Sequence, residues 1–198
     1  MNRKALFIAA VLMGVAFNLN ASQILPTTID RVADDAVDSF CGLCKARDVR
    51  EDPDRFGKFV TYTFEVHDVM KGDYKQGETI SFTQLEGYKG AVVMMTGSEY
   101  CLMLNKPSSS GMRSPVALSY GAYNVGRLKD GQKVLRGAVS RQSLMRDVLK
   151  RRPELSKRLS KNERDFVTNT TDRNMDYNEF VNFIRALGND KTENRGGR

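Results

Sequence analysis

The run "KFVTYTFEVHDVMKG", residues 58–72, constrains the fold more than any other stretch. Val60, Tyr62, Phe64 and Val66 fall on one side of an extended chain, and Thr61, Thr63, Glu65 and His67 on the other. Side chains alternate in a strand but repeat about every 3.6 residues in a helix. The pattern therefore predicts a strand with one buried face, closed by a Lys-Gly turn at 71–72. Such a strand needs neighbours beside it and a layer over it. Further candidates are "ETISFTQL" (78–85), "AVVMM" (91–95), "EYCLML" (99–104), "PVALSYGAYNVG" (115–126) and "QKVLRGAV" (132–139), separated by glycine-rich turns. Together they predict a mainly β domain over about 22–139, a small antiparallel barrel or sandwich.

From about residue 140 the period changes. Leu144 with Val148, and Met145 with Leu149, stand at helical spacing until Pro153 interrupts. Ser160 with Glu163, and Asp176 with Glu179, have the spacing of capping boxes. Phe180, Phe183, Ile184 and Leu187 then form one apolar stripe, which has to pack on something. These signals predict a helical segment over 140–188 docked on the β domain, followed by a polar, disordered tail at 189–198. Upstream, a short helix over about 28–37 is expected to run into a first strand over about 39–48.

The N-terminus reads "MNRKALFIAAVLMGVAFNLNAS": two cations, a 13-residue apolar run from Ala5 to Phe17, and a short polar stretch ending in Ala21. That is the layout of a secretory signal peptide over 1–21, and 13 residues are too few for a span, which needs about 20. Cleavage after Ala21 leaves a periplasmic or secreted chain, and the formal charge falls from +7 to +5 as Arg3 and Lys4 depart. No later segment is apolar enough to cross a bilayer, so no membrane span is expected after cleavage.

Only three cysteines remain to such a chain, two of them in "FCGLC". In a strand, residues three apart lie about 10 Å apart, beyond the ~7 Å that a disulfide can bridge. Cys41 and Cys44 then point to opposite faces, and either can pair with Cys101. In a helical alternative they would sit at a C-terminal end, where the helix dipole disfavours a thiolate. Both arrangements weigh against redox catalysis. Cys41, Cys44, Cys101 and the only histidine, His67, are also four candidate zinc ligands, though the set lacks a second compact pair.

Any triad or dyad mechanism would have to use His67, and no second motif points at it. No phosphate-cradling loop or haem motif is present, so no cofactor is expected. "TNTTDRNMDYNEF" (168–180) resembles the second half of a calcium loop, with Asp172, Asp176 and Glu179 as candidate ligands. Thr168 stands at its first ligand position and Arg173 where the turn glycine belongs, so an N-cap at Asp176 is the simpler role. Lys150, Arg151, Arg152, Lys157, Arg158 and Lys161 form a basic run that could touch a polyanion. No aromatic residues interleave it, so nucleic acid is not the expected partner.

The order "FCGLCKARDV", "TYTFEVHDVMKG", "ETISF", "GSEYCLML" resembles the N-terminal part of netrin-like domains, which include the tissue inhibitors of metalloproteinases. It is also similar to a group of uncharacterised secreted bacterial proteins. Val69, Lys71, Gly72, Gly97, Glu99, Tyr100, Leu102, Ser114, Pro115 and Gly121 carry that likeness over about 37–126. The resemblance implies an OB-type β-barrel and carries no activity. Those inhibitors chelate the protease zinc through a free N-terminal cysteine, whereas the mature chain here would begin at Ser22. The expected function is a non-catalytic binding or assembly module for a protein or other component of the cell envelope. A thiol- or His67-dependent enzyme, or an inhibitor-like protein, is the alternative.

Overall fold

The computed structural model describes residues 27–52, 57–87, 90–170 and 174–195. The expected signal peptide lies outside these residues. Helix α1 (Ile29–Asp35) leads into an antiparallel meander of β1 (Asp38–Asp52), β2 (Gly57–Lys71) and β3 (Thr79–Glu86). Strand β4 (Glu99–Leu104) then returns beside β1, giving the spatial order β4-β1-β2-β3 of a Greek key. Beyond β4 the sheet continues through β5 (Ala122–Arg127) and β6 (Lys133–Gly137). The two-residue β7 (Met175–Asp176) ends it. Helices α2 (Arg141–Met145), α3 (Val148–Arg151), α4 (Pro153–Arg158), α5 (Lys161–Thr168) and α6 (Tyr177–Arg195) complete the chain. The protein is mainly β with a C-terminal helical segment. Its seven strands form one antiparallel sheet whose outer strands, β3 and β7, do not pair. The sheet is open, and its architecture is consistent with a small barrel or sandwich.

Each face of the sheet carries its own apolar cluster. The alternation in β2 buries Val60, Tyr62, Phe64 and Val66 with Phe40, Cys44, Phe82, Tyr100 and Leu102. Aromatic rings tie this cluster together, with Phe64 stacked on Phe82 at 6.0 Å and set edge-on to Phe40 at 5.7 Å. The other face presents Cys41, Met70, Cys101, Met103, Tyr123 and Leu135 to the helices. There α1 contributes Ile29 and Val32, and the C-terminal segment contributes Leu144, Val148, Phe166, Phe180 and Phe183 to the same cluster. The apolar stripe of α6 thus packs against the sheet, with the Phe180 ring 4.9 Å from that of Tyr123. Among the described residues no helix is long and apolar enough to cross a membrane.

Local chemistry explains several boundaries. Ser160 and Glu163 form the expected reciprocal capping box at the start of α5. Lys71 Nζ donates to the carbonyls of Ala33 and Ala36, so the cation of the Lys-Gly turn caps the C-terminal end of α1. Gly72 follows at φ +102°, beside the Asp38 carboxylate, where a Cβ would collide.

Two strand expectations are corrected. Residues 91–95 belong to no strand. Val92 and Met94 turn into the aromatic core, and side chains take the place of a ladder partner. Gln84 Nε2 donates to Val92 O at 2.6 Å, and the Met94 and Met95 amides donate to the Tyr62 and Tyr100 hydroxyls. The expected strand over 115–126 is confined to β5, because Ala117 and Leu118 adopt positive φ and open a single 3-10 turn, Leu118–Gly121.

Candidate functional site

Cys41 on β1 lies directly opposite Cys101 on β4, and the two are joined in a buried disulfide. Cys44 belongs to the aromatic cluster on the other face, so the strand does separate the two sulfurs of the Cys-x-x-Cys. Burial pushes the Cys44 thiol up, away from thiolate chemistry, and its Sγ donates to Ala46 O at 3.6 Å. The four candidate zinc ligands are therefore not brought together. Two sulfurs are bonded to each other, the third faces the opposite core, and His67 has a carboxylate partner. Among the described residues no group of three His, Cys, Asp or Glu side chains is arranged to hold a metal.

Of the candidate calcium ligands, Asp172 lies outside the described residues. Asp176 acts as the cap of α6: one oxygen accepts from the Glu179 amide at 2.9 Å and the other from Gln132 Nε2 at 2.8 Å. Burial raises the Glu179 carboxyl, and the neighbouring charge of Asp176 raises it further.

The basic run is largely engaged within the fold. Arg151 reaches Asp30 through two hydrogen bonds of 2.7 and 3.0 Å and donates to Thr28 Oγ1 at 2.9 Å. Burial alone would raise the Asp30 carboxyl, but the bonds from Arg151 and Thr28 outweigh it and hold the group below its ordinary value. Arg152, just after α3, pairs with Asp34, so two guanidinium groups fasten the end of α3 to α1. Lys150 pairs with Asp147, and Lys157 with Glu154, on the solvent side. Arg158 also has a partner, and Lys161 is exposed at the start of α5.

His67 is the centre of a polar cluster that only the fold assembles. It is the extra residue of a bulge, since Cys41 pairs with Asp68 and Gly42 with Val66. A Cβ on Gly42 would collide with the Glu65 carbonyl oxygen, so the tight approach of β2 to β1 here requires glycine. His67 Nδ1 donates to Glu99 Oε1 at 3.1 Å, and Lys133 Nζ donates to the same oxygen at 2.8 Å. Burial would raise the Glu99 carboxyl, but these two partners hold it below its usual range. Lys133 also lies over the Tyr177 ring at 4.8 Å. Tyr177 donates to Asp68 Oδ2 at 2.7 Å, and Arg185 donates to Asp68 Oδ1 at 3.2 Å. Burial and the Asp68 charge push the Tyr177 hydroxyl well above its ordinary value, so it stays protonated and donating.

The cluster joins β2, β4, β6 and α6, and each charge in it has a partner. Asp68, Lys133, Tyr177 and Arg185 were not legible as a group. The one local signal is the pair His67-Asp68, two polar residues in succession that end the alternation of 60–67.

A cleft of about 500 Å³ lies between residues 90–93 and the ends of β4, β5 and β6. Ala91, Val92, Val93, Tyr100, Ala122 and Ala138 supply its apolar lining, and Ser119, Asn124 and Arg136 its polar groups. Arg136 stands opposite Asn124 across the β5–β6 ladder, with its guanidinium over Gly126. A second cleft, of about 410 Å³, includes Gln84 and Arg113, which are bonded to Val92 O and to Asp38. The chain matches no protein-family model, no curated protein and no solved structure.

Proposed function

We propose that the chain is an exported, non-catalytic binding or assembly module of the periplasm or cell exterior, engaging a component of the envelope. One observation carries this reading. Of the side chains best suited to chemistry, Cys41 and Cys101 are bonded to each other, Cys44 is a thiol buried in the aromatic core, and His67 is held by Glu99. A buried disulfide fits an oxidising compartment. The leader-like sequence over 1–21 supports export independently. The Greek key β4-β1-β2-β3 is the motif from which a partly open OB barrel is built, and this supports the netrin-like reading.

Cross-linking in intact cells, followed by capture from the envelope fraction, tests the proposal. Wild-type protein, His67→Ala and Cys44→Ser should all retain the same cross-linked partner. Loss of the associated phenotype in His67→Ala, with partner capture and thermal stability intact, would instead favour acid–base catalysis.

A further inference from the structure

We propose that the cleft between residues 90–93 and β5–β6 binds the carboxyl-terminal end of an extended, apolar peptide. The proposal rests on the binding-module reading and gives it a ligand class.

The first support is the backbone of the corrected strand. Residues 91–95 have the alternation of a strand, with Val92 packed on the core and Met94 fully buried, while Val93 is 49% and Met95 60% exposed. Val92 O, Met94 N and Met95 N are held by side chains. Among the described residues, neither the N–H nor the C=O of Val93 has a hydrogen-bond partner. Val93 therefore offers one free N–H and one free C=O, the pair of groups that an added peptide strand engages on a single residue.

The second support is charge. Among the described residues no acidic side chain lines the cleft, and none pairs with the Arg136 guanidinium. Arg136 and Asn124 lie on the same face of the ladder, so a fork of donors stands at one end, beside an amide whose Nδ2 donates to Glu99 O at 3.5 Å. That combination suits a carboxylate, which guanidinium binds through parallel N–H···O bonds. The intervening floor, Tyr100 and Ala122, suits small apolar side chains. The cleft also falls within the ~300–1,000 Å³ range of ligand sites.

The test is fluorescence anisotropy with a pool of labelled hexapeptides, apolar at alternate positions and ending in a free carboxylate, beside the same pool amidated. Amidation and Arg136→Gln should each weaken binding by about tenfold or more, the scale of a charge-assisted hydrogen bond. Val93→Pro should weaken it similarly by deleting the pairing N–H. Its melting temperature should stay unchanged, because that N–H has no partner in the fold.

Equal affinity for acid and amide pools, or indifference to Arg136→Gln, would overturn the proposal. So would full competition by decanoate with no effect of Val93→Pro, which would make the site one for free carboxylic acids. No binding up to millimolar peptide, while wild-type protein still captures an envelope partner, would remove this cleft assignment and leave the binding-module reading standing.

Discussion

At Gly42, between the two cysteines of the Cys-x-x-Cys, the missing side chain has a structural use. Gly42→Ala would drive a methyl group into the Glu65 carbonyl and disturb the bulge that carries His67. The expected loss is about 1–3 kcal/mol, the usual scale of a local overpacking error, read by urea denaturation. An unchanged midpoint would mean that β2 can move away freely.

The carboxylates make opposite predictions. Glu99 titrates below its ordinary value in the folded state, so its stabilisation is complete above the unfolded value of about 4.3 and is lost as pH falls through the folded one. Glu99→Gln should therefore lower stability at pH 7 and flatten the acid slope of the melting temperature. Glu179 titrates above its ordinary value, so its ionised form costs stability at neutral pH. Glu179→Gln should raise the melting temperature there, and added calcium should leave the wild-type melting temperature unchanged. A calcium-induced rise that Glu179→Gln abolishes would restore the metal-loop reading.

Among the elements, the clasp between α1 and α3 is the most exposed to mutation. Asp30 is 3% exposed and Arg151 32%, so Arg151→Ala leaves a buried carboxylate without its cation. We expect a loss of about 2–3 kcal/mol, less than the ~3–5 kcal/mol of a fully buried pair because solvent reaches the arginine. Lys150→Ala and Lys157→Ala, on exposed pairs, should leave the unfolding midpoint where it is. If the lysine changes destabilised as much as Arg151→Ala, the clasp would not be what holds the helices.

What was legible follows from range. The alternation of β2 and the Ser160–Glu163 box are local patterns, readable because residues two or three apart decide them. The failure at 91–95 was non-local: alternation told which residues are buried, but not that hydroxyls and an amide would replace a neighbouring strand. The His67 cluster was further out of reach, since residues 67, 99, 133, 177 and 185 meet only through sheet order and the docking of α6.

For the whole molecule, one sheet serves two cores. The aromatic core is closed by the Greek key, 91–95 and the loops, while the other core needs the C-terminal helices as its cover. Deleting 141–198 should therefore expose Met103, Tyr123 and Leu135 and give insoluble protein. A folded, soluble fragment would show the helices to be dispensable. The central claim is that the chain is exported and that its reactive groups serve its architecture. Peptide mapping by mass spectrometry, on protein purified from the periplasm without reductant, tests this most directly. The expected result is an N-terminus at Ser22, a Cys41–Cys101 bridge, and a single thiol at Cys44 that is alkylated only after denaturation. A Cys41–Cys44 bridge, or three thiols that react in the folded protein, would contradict it.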